Sequence, residues 1–167
     1  MPEYRIMIVD DETEVREGIA SRVDWKAAGF TIVATAENGQ DALEKAEFLD
    51  LDVVLTDIKM PYMDGLTLGR EIRKKVGKNG LLMILLIPLG TRGDSAKLRR
   101  IGFSAFLNKP LRHQELSRTI LCLLNEQDES RQIVDGADCF TGGSRKVDEI
   151  AEFLNYFADG NRRVLVA

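Results

Sequence analysis

The sequence is poor in the residues that staple small proteins or build metal clusters: two cysteines, Cys122 and Cys139, and one histidine, His113, among 167 residues. Two cysteines without metal-ligand spacing support neither a disulfide framework nor a zinc site, and they read as reduced thiols. Long hydrophobic runs are also missing. The longest, Leu81 to Leu89, contains Pro88 and falls far short of the ~20 apolar residues that a helix needs to cross a bilayer. No basic N-terminal segment leads into an apolar core and a cleavage site, so a cytoplasmic location without membrane attachment is expected. Nor is one sign of charge in large excess. Lys and Arg number 23 against 27 Asp and Glu, and the net charge of -4 gives no general attraction to nucleic acid or anionic lipid.

What is present is the composition of a soluble globular domain, 44% hydrophobic and 30% charged, long enough for one domain of ordinary size with an appendage. Tyr4 to Val9 is a nearly continuous apolar run, as a strand covered on both faces requires. From Thr13 to Val23 the residues Val15, Ile19, Ala20 and Val23 form one helical stripe, with Glu14, Arg16, Glu17 and Arg22 outside. Gly29 breaks this segment. A second strand (Thr31 to Ala36) and helix (Gln40 to Leu49) follow, then a third strand (Val53 to Thr56) and helix (Leu66 to Lys75). A fourth strand (Leu81 to Ile87) and helix (Gly93 to Ile101) precede a fifth pair, Ala105 to Asn108 and Leu111 to Asn125. Trp25 and the methionines read as packing residues.

Five strands alternating with five helices over short turns predict an α/β, flavodoxin-like (βα)5 doubly wound parallel sheet, order 2-1-3-4-5. Residues 1–127 make up this unit. Residues 128–167 are expected to add a C-terminal helical extension: a polar linker from Asp128 to Arg145, an amphipathic helix carrying Val147, Ile150, Leu154 and Phe157, and a short strand from Arg162 to Ala167.

In that strand order the first and third strands are neighbours, and both end in acids. Asp10-Asp11-Glu12 follows the first, and Asp57 ends the third, before Pro61 and Gly65 stop regular structure. Glu12 and Asp64 read as turn or helix-cap residues. Asp10, Asp11 and Asp57 converge at the switch point, where crowded carboxylates must share protons or hold a cation. Magnesium suits such an oxygen-rich site, an aspartate there can attack phosphorus, and Lys109 at the end of the fifth strand can neutralise phosphoryl oxygens.

Val9-Asp10-Asp11-Glu12, the run Asp57 to Gly65, and Asn108-Lys109-Pro110 resemble the receiver domain of two-component response regulators, over about Tyr4 to Glu126. Residues 4–75 resemble receivers that precede arabinose-regulator-type DNA-binding domains. Leu89 to Asp94 and Gly102 to Leu116 resemble receivers of hybrid sensor histidine kinases, with the join near Gly77 to Gly80. The resemblance implies that Asp57 accepts a phosphoryl group from the phosphohistidine of a histidine kinase or histidine phosphotransfer protein. It also implies that Asp11, Asp57 and the Lys59 main-chain carbonyl hold Mg2+, that Asp10 acts through water, and that Lys109 contacts the phosphoryl group. At the strand-four position where receivers carry a switching Ser or Thr, this chain has Ile87; the aromatic switch position is Phe106.

Without that hydroxyl, phosphate-driven switching should weaken by about 1.5–3 kcal/mol. A receiver with atypical switching and output by protein contact is therefore expected. The alternative is a pseudo-receiver that binds partners without switching. A third reading, an aspartyl-nucleophile metal-dependent phosphatase, is disfavoured because Lys59 stands where such sites commonly need a second acid. No helix-turn-helix pair or basic recognition face follows Gln127, so no direct contact with nucleic acid is expected. A homodimer would use the C-terminal helix or the helix-four face. His113 reads as an exposed residue at the start of the fifth helix, not a phosphotransfer group.

Overall fold

The most apolar stretch of the chain lies within the sheet. The computed structural model describes residues 3–27, 29–77, 80–91, 95–125 and 134–135. In chain order the elements are β1 (Tyr4–Val9), α1 (Thr13–Arg22), β2 (Phe30–Ala36), α2 (Gly39–Phe48), β3 (Val53–Asp57), α3 (Gly65–Lys75), β4 (Leu82–Ile87), α4 (Ser95–Ile101), β5 (Ala105–Asn108), α5 (His113–Asn125) and β6 (Val134–Asp135). Every strand pair is parallel, in the order β2-β1-β3-β4-β5-β6. All six residues of β4 are buried.

Alternation along each strand builds two cores. Met7, Val54, Leu85, Ile87 and Phe106 face Leu43, Leu68, Ile72 and Leu98, so α2, α3 and α4 cover one side. Ile8, Leu55, Leu86 and Leu107 face Ile19, Leu116 and Ile120, so α1 and α5 cover the other. This is why the strands read as continuous apolar runs. Trp25 closes the second core from the α1 end, its indole N–H donating to the Ile19 carbonyl at 3.1 Å and its ring standing edge-on to Phe30.

The sheet continues one strand beyond the five expected. Val134 pairs with Ala105 and Asp135 with Phe106, within the segment expected to be linker. A parallel partner of this length needs only two residues of extended backbone, which leaves almost no periodic signal in a sequence. The remainder of the C-terminal extension, including Val147, Ile150, Leu154 and Phe157 and the strand expected at Arg162 to Ala167, lies outside the described residues. No described helix is long and apolar enough to cross a membrane.

Arg73 fastens the end of the sheet remote from the strand C-termini. Its Nη2 donates to the carbonyl oxygens of Leu81 and Gly102, each at 2.7 Å, tying α3 to the entry of β4 and to the turn before β5. Gly102, at φ +109°, leaves the space that a Cβ would take from the Arg73 side chain. Arg73→Ala leaves two carbonyls without their charged donor, and urea denaturation should show a loss of about 2–4 kcal/mol. A loss below about 0.5 kcal/mol would mean that solvent replaces both bonds.

Candidate functional site

Register decides which acids meet. Val9 of β1 lies opposite Thr56 of β3, so the next residues, Asp10 and Asp57, stand side by side at the carboxyl edge of the sheet. Asp10 N–H extends the β1–β2 ladder by donating to Ala36 O at 3.1 Å, which holds the residue in the sheet and its side chain at 0% exposure. Its Oδ1 accepts from the Glu12 N–H at 2.9 Å. Asp57 is 5% exposed, and its Oδ1 accepts from the Ile58 N–H at 2.8 Å. Asp11, by contrast, is exposed. One carboxylate oxygen from each of Asp10, Asp11 and Asp57 lies within 4.8 Å of the others.

Lys109 reaches this cluster from β5. Its N–H donates to Ile87 O at 2.8 Å, fixing the strand end, and its Nζ lies 2.9 Å from Asp10 Oδ2 and 3.2 Å from Asp57 Oδ2. Among the described residues it is the one ion-pair partner of either acid. Burial raises the Asp57 carboxyl above the ordinary carboxylate range; the Lys109 charge opposes this, and the Asp10 charge adds to it. Burial pulls the Lys109 ammonium down, but its hydrogen bond and charge interaction with Asp10, then its interactions with Asp57, outweigh that, and the net shift is upward.

The β3–α3 connection shapes the other wall. Gly65 N–H donates to Ile58 O at 3.0 Å, and a Cβ at Gly65 would run into the Asp57 carbonyl oxygen, so only glycine lets α3 start this close to the acid. Asp64 caps α3, accepting from the Thr67 N–H at 2.7 Å. Glu12 stands at the equivalent position of α1, but its side chain makes no capping bond.

An open crevice of about 1080 Å³ gives solvent access to the cluster, with Asp11, Asp57, Lys59 and Lys109 in its lining and the α1 residues Val15 and Ile19 along one side. Three carboxylate oxygens, one side chain fully buried and another exposed to the crevice, form the hard, oxygen-rich donor set that suits magnesium with several retained waters. Lys59 is an exposed residue in the lining of the same crevice. Ile87 and Phe106 lie elsewhere, buried together in the core under α2, α3 and α4.

Two features near the site were not legible in the sequence. Arg16, expected to face solvent from α1, turns back and donates from Nη1 to the Asp10 carbonyl at 2.6 Å, bracing the loop that carries the acids. Its position one turn into the helix after the acids was the available signal. Among the described residues Asn108, which precedes Lys109, carries a buried side-chain oxygen without a hydrogen-bond partner. A polar residue ending an otherwise apolar strand was its only mark.

Known proteins share this fold and much of this sequence. The family model described as response regulator receiver domain matches residues 6–121. The uncharacterized transcriptional regulatory protein YesN of Bacillus subtilis is 32% identical over 130 residues, covering 75% of this chain and 34% of that protein. A protein-glutamate methylesterase/protein-glutamine glutaminase of Rhodospirillum rubrum is 34% identical over 113 residues, covering 68% of this chain and 29% of its own. The chain thus spans about a third of the length of these relatives. The REC domain of AraT, a response regulator from Geobacillus stearothermophilus, superimposes with a TM-score of 0.66 at 32% identity, covering 74% of this chain and 94% of that one.

Because burial raises the folded-state pKa of Asp57, ionising it costs stability, and that loss grows as pH rises through the folded pKa. In metal-free buffer Asp57→Asn should therefore raise Tm at pH 7, with the gain shrinking as pH falls from the raised folded pKa toward the ordinary carboxylate value of about 3.9 and absent below it. Thermal melts across this range check it; a variant less stable than the parent at pH 7 would contradict it.

Proposed function

The chain belongs to the response regulator receiver domain family of two-component signalling, and from that membership and the geometry of the carboxyl edge we propose that Asp57 is the phosphoacceptor. The donor is the phosphohistidine of a histidine kinase or a histidine phosphotransfer protein. The observation that carries this reading is the placing of one ammonium, Lys109 Nζ, between the buried carboxylates of Asp10 and Asp57, beneath the exposed Asp11 in an open crevice. An Asp57 carboxylate oxygen forms the new O–P bond as the P–N bond breaks. The bonding pair stays with the imidazole nitrogen, which leaves as neutral imidazole after protonation by solvent.

Lys109 is placed to follow the charge. Its Nζ, 3.2 Å from Asp57 Oδ2, can turn toward the phosphoryl oxygens while Asp10 anchors it from behind. Magnesium would be held by Asp11, Asp57 and the Lys59 main-chain carbonyl, with Asp10 acting through water; when bound it neutralises charge on the phosphoryl group. Val15 and Ile19 on the α1 side of the crevice give the partner's phosphohistidine a surface to approach along. Output is by protein contact in the cytoplasm, with the α4 face, or the amphipathic helix that the sequence predicts in the C-terminal extension, as a homodimer surface, and without direct binding of nucleic acid or membrane.

Switching is atypical in this reading. Ile87, 1% exposed, offers the phosphoryl group no hydroxyl, and Phe106 can change rotamer without donating a hydrogen bond. The same burial of Ile87 favours the second reading, a pseudo-receiver that takes part in partner binding without a conformational response. An aspartyl-nucleophile phosphatase has less support, because Lys59 takes the place of the second acid.

Incubation with magnesium and a small-molecule acyl phosphate donor, read by intact mass, tests the proposal. The parent should gain one labile phosphoryl group, Asp57→Ala none, and Asp11→Asn should react more slowly by about an order of magnitude or more. No adduct on the parent, or an equal adduct on Asp57→Ala, would overturn it.

A further inference from the structure

The connection that leads to β6 turns the opposite way from every other connection in the sheet. Along β1, Met7 and Val9 belong to one core and Ile6 and Ile8 to the other, so the two cores lie on opposite faces. The steps from β2 to β3, β3 to β4 and β4 to β5 all run in one direction across the sheet. Their helices α2, α3 and α4 place Leu43, Leu68 and Leu98 in the first core. The step from β1 to β2 runs in the other direction, and α1 covers the other face, with Ile19 in the second core. Reversing direction and face together preserves the hand. These four crossovers therefore share one hand, and parallel sheets adopt the right-handed form in about 98% of cases.

The step from β5 to β6 breaks the pattern. It continues in the direction of β3, β4 and β5, but α5 lies on the face of α1, with Leu116, Ile120 and Leu123 in the same core as Ile19. Keeping the direction while changing the face inverts the hand. A β6 reached from α5 of its own chain thus makes a left-handed crossover, which the right-handed twist of strands opposes. The position itself suits the sheet. Without a sixth strand, β5 would be an edge strand with unpaired N–H and C=O groups, and parallel pairing of Val134 with Ala105 and Asp135 with Phe106 covers part of that edge. A strand that fits the sheet while its own connection does not is a segment suited to exchange between copies.

We propose that this protein forms a homodimer by exchange of β6, in which Val134 and Asp135 of each copy pair with Ala105 and Phe106 of the other. The register is that of the six-stranded sheet. A strand that arrives from a second copy does not return to the sheet it left, so no crossover of either hand is made. Each copy gives one strand and receives one. The arrangement is therefore closed by a two-fold axis, and no β5 edge is left to recruit a third copy. The outer edge of β5 is distant from the acids, since β4 and β5 separate β6 from β3. The crevice beside Asp57 stays accessible in the dimer, and the inference does not depend on the phosphoacceptor reading.

The test uses the full chain. Light scattering should give the mass of a dimer. Equal amounts of isotope-labelled and unlabelled chain, unfolded and refolded together, then allow isotope-filtered nuclear Overhauser spectra to separate contacts between copies from contacts within one. Backbone protons of Val134 and Asp135 should meet those of Ala105 and Phe106 between copies only. The double variant Val134→Pro, Asp135→Pro removes the N–H that either residue could donate to β5. It should weaken dimerisation about tenfold or more while leaving the circular dichroism spectrum of the helices unchanged. A monomer at the concentration of the resonance sample would overturn the inference, and so would pairing found within a single copy, which would show that the left-handed crossover is made. A dimer that lacks the pairing of Val134 with Ala105, or that the proline variant does not weaken, would place the interface elsewhere and overturn it as well.

Discussion

A single ammonium held between two buried carboxylates is the constraint on which the rest of the molecule turns. Lys109 Nζ meets Asp10 at 2.9 Å and Asp57 at 3.2 Å, in a place where neither acid has another ion-pair partner among the described residues. With Asp11 close by, negative charge exceeds positive charge at the edge of the sheet. Burial makes that imbalance costly and raises the Asp57 carboxyl. The site is therefore stable only as a compromise, and a divalent cation or a repositioned lysine changes its energy more than any change at the solvated surface could.

The fold serves this arrangement. Parallel pairing of β1 with β3 sets Asp10 beside Asp57, and the order of the sheet leaves β4 between β3 and β5. Lys109 must reach across β4 to the acids. Because β4 is apolar throughout and is followed by Pro88, nothing on that strand competes for its charge. At the other end of the sheet Arg73 ties α3 to the entry of β4 and to the turn before β5. One end is fastened by hydrogen bonds, while the other is held by charges that chemistry can alter.

Much of this was legible in the sequence, and for identifiable reasons. Strands buried on two faces appear as apolar runs, and helices with one buried stripe show three- and four-residue spacing, so the five βα units followed from pattern, and their order from the flavodoxin-like arrangement that fits such units best. The acids were visible because charge ends those runs abruptly. The return of Arg16 to the Asp10 carbonyl was not visible, since a helix-surface arginine looks the same whether it bonds solvent or a main-chain oxygen. Nor was β6, whose two residues carry no periodicity. Asn108 shows in the sequence only by its place beside Lys109, because a buried oxygen without a partner among the described residues is a fact of packing and has no signature in one chain.

Calorimetric titration of the protein with Mg2+ at neutral pH, beside an Asp11→Asn variant, tests most directly whether the clustered acids are an unbalanced site awaiting a cation. The parent should bind a single magnesium ion, and the variant, with one carboxylate fewer facing the crevice, should bind it at least tenfold more weakly. No binding by the parent, or equal binding by both proteins, would show that Lys109 alone balances Asp10 and Asp57 and that the cluster is complete as it stands.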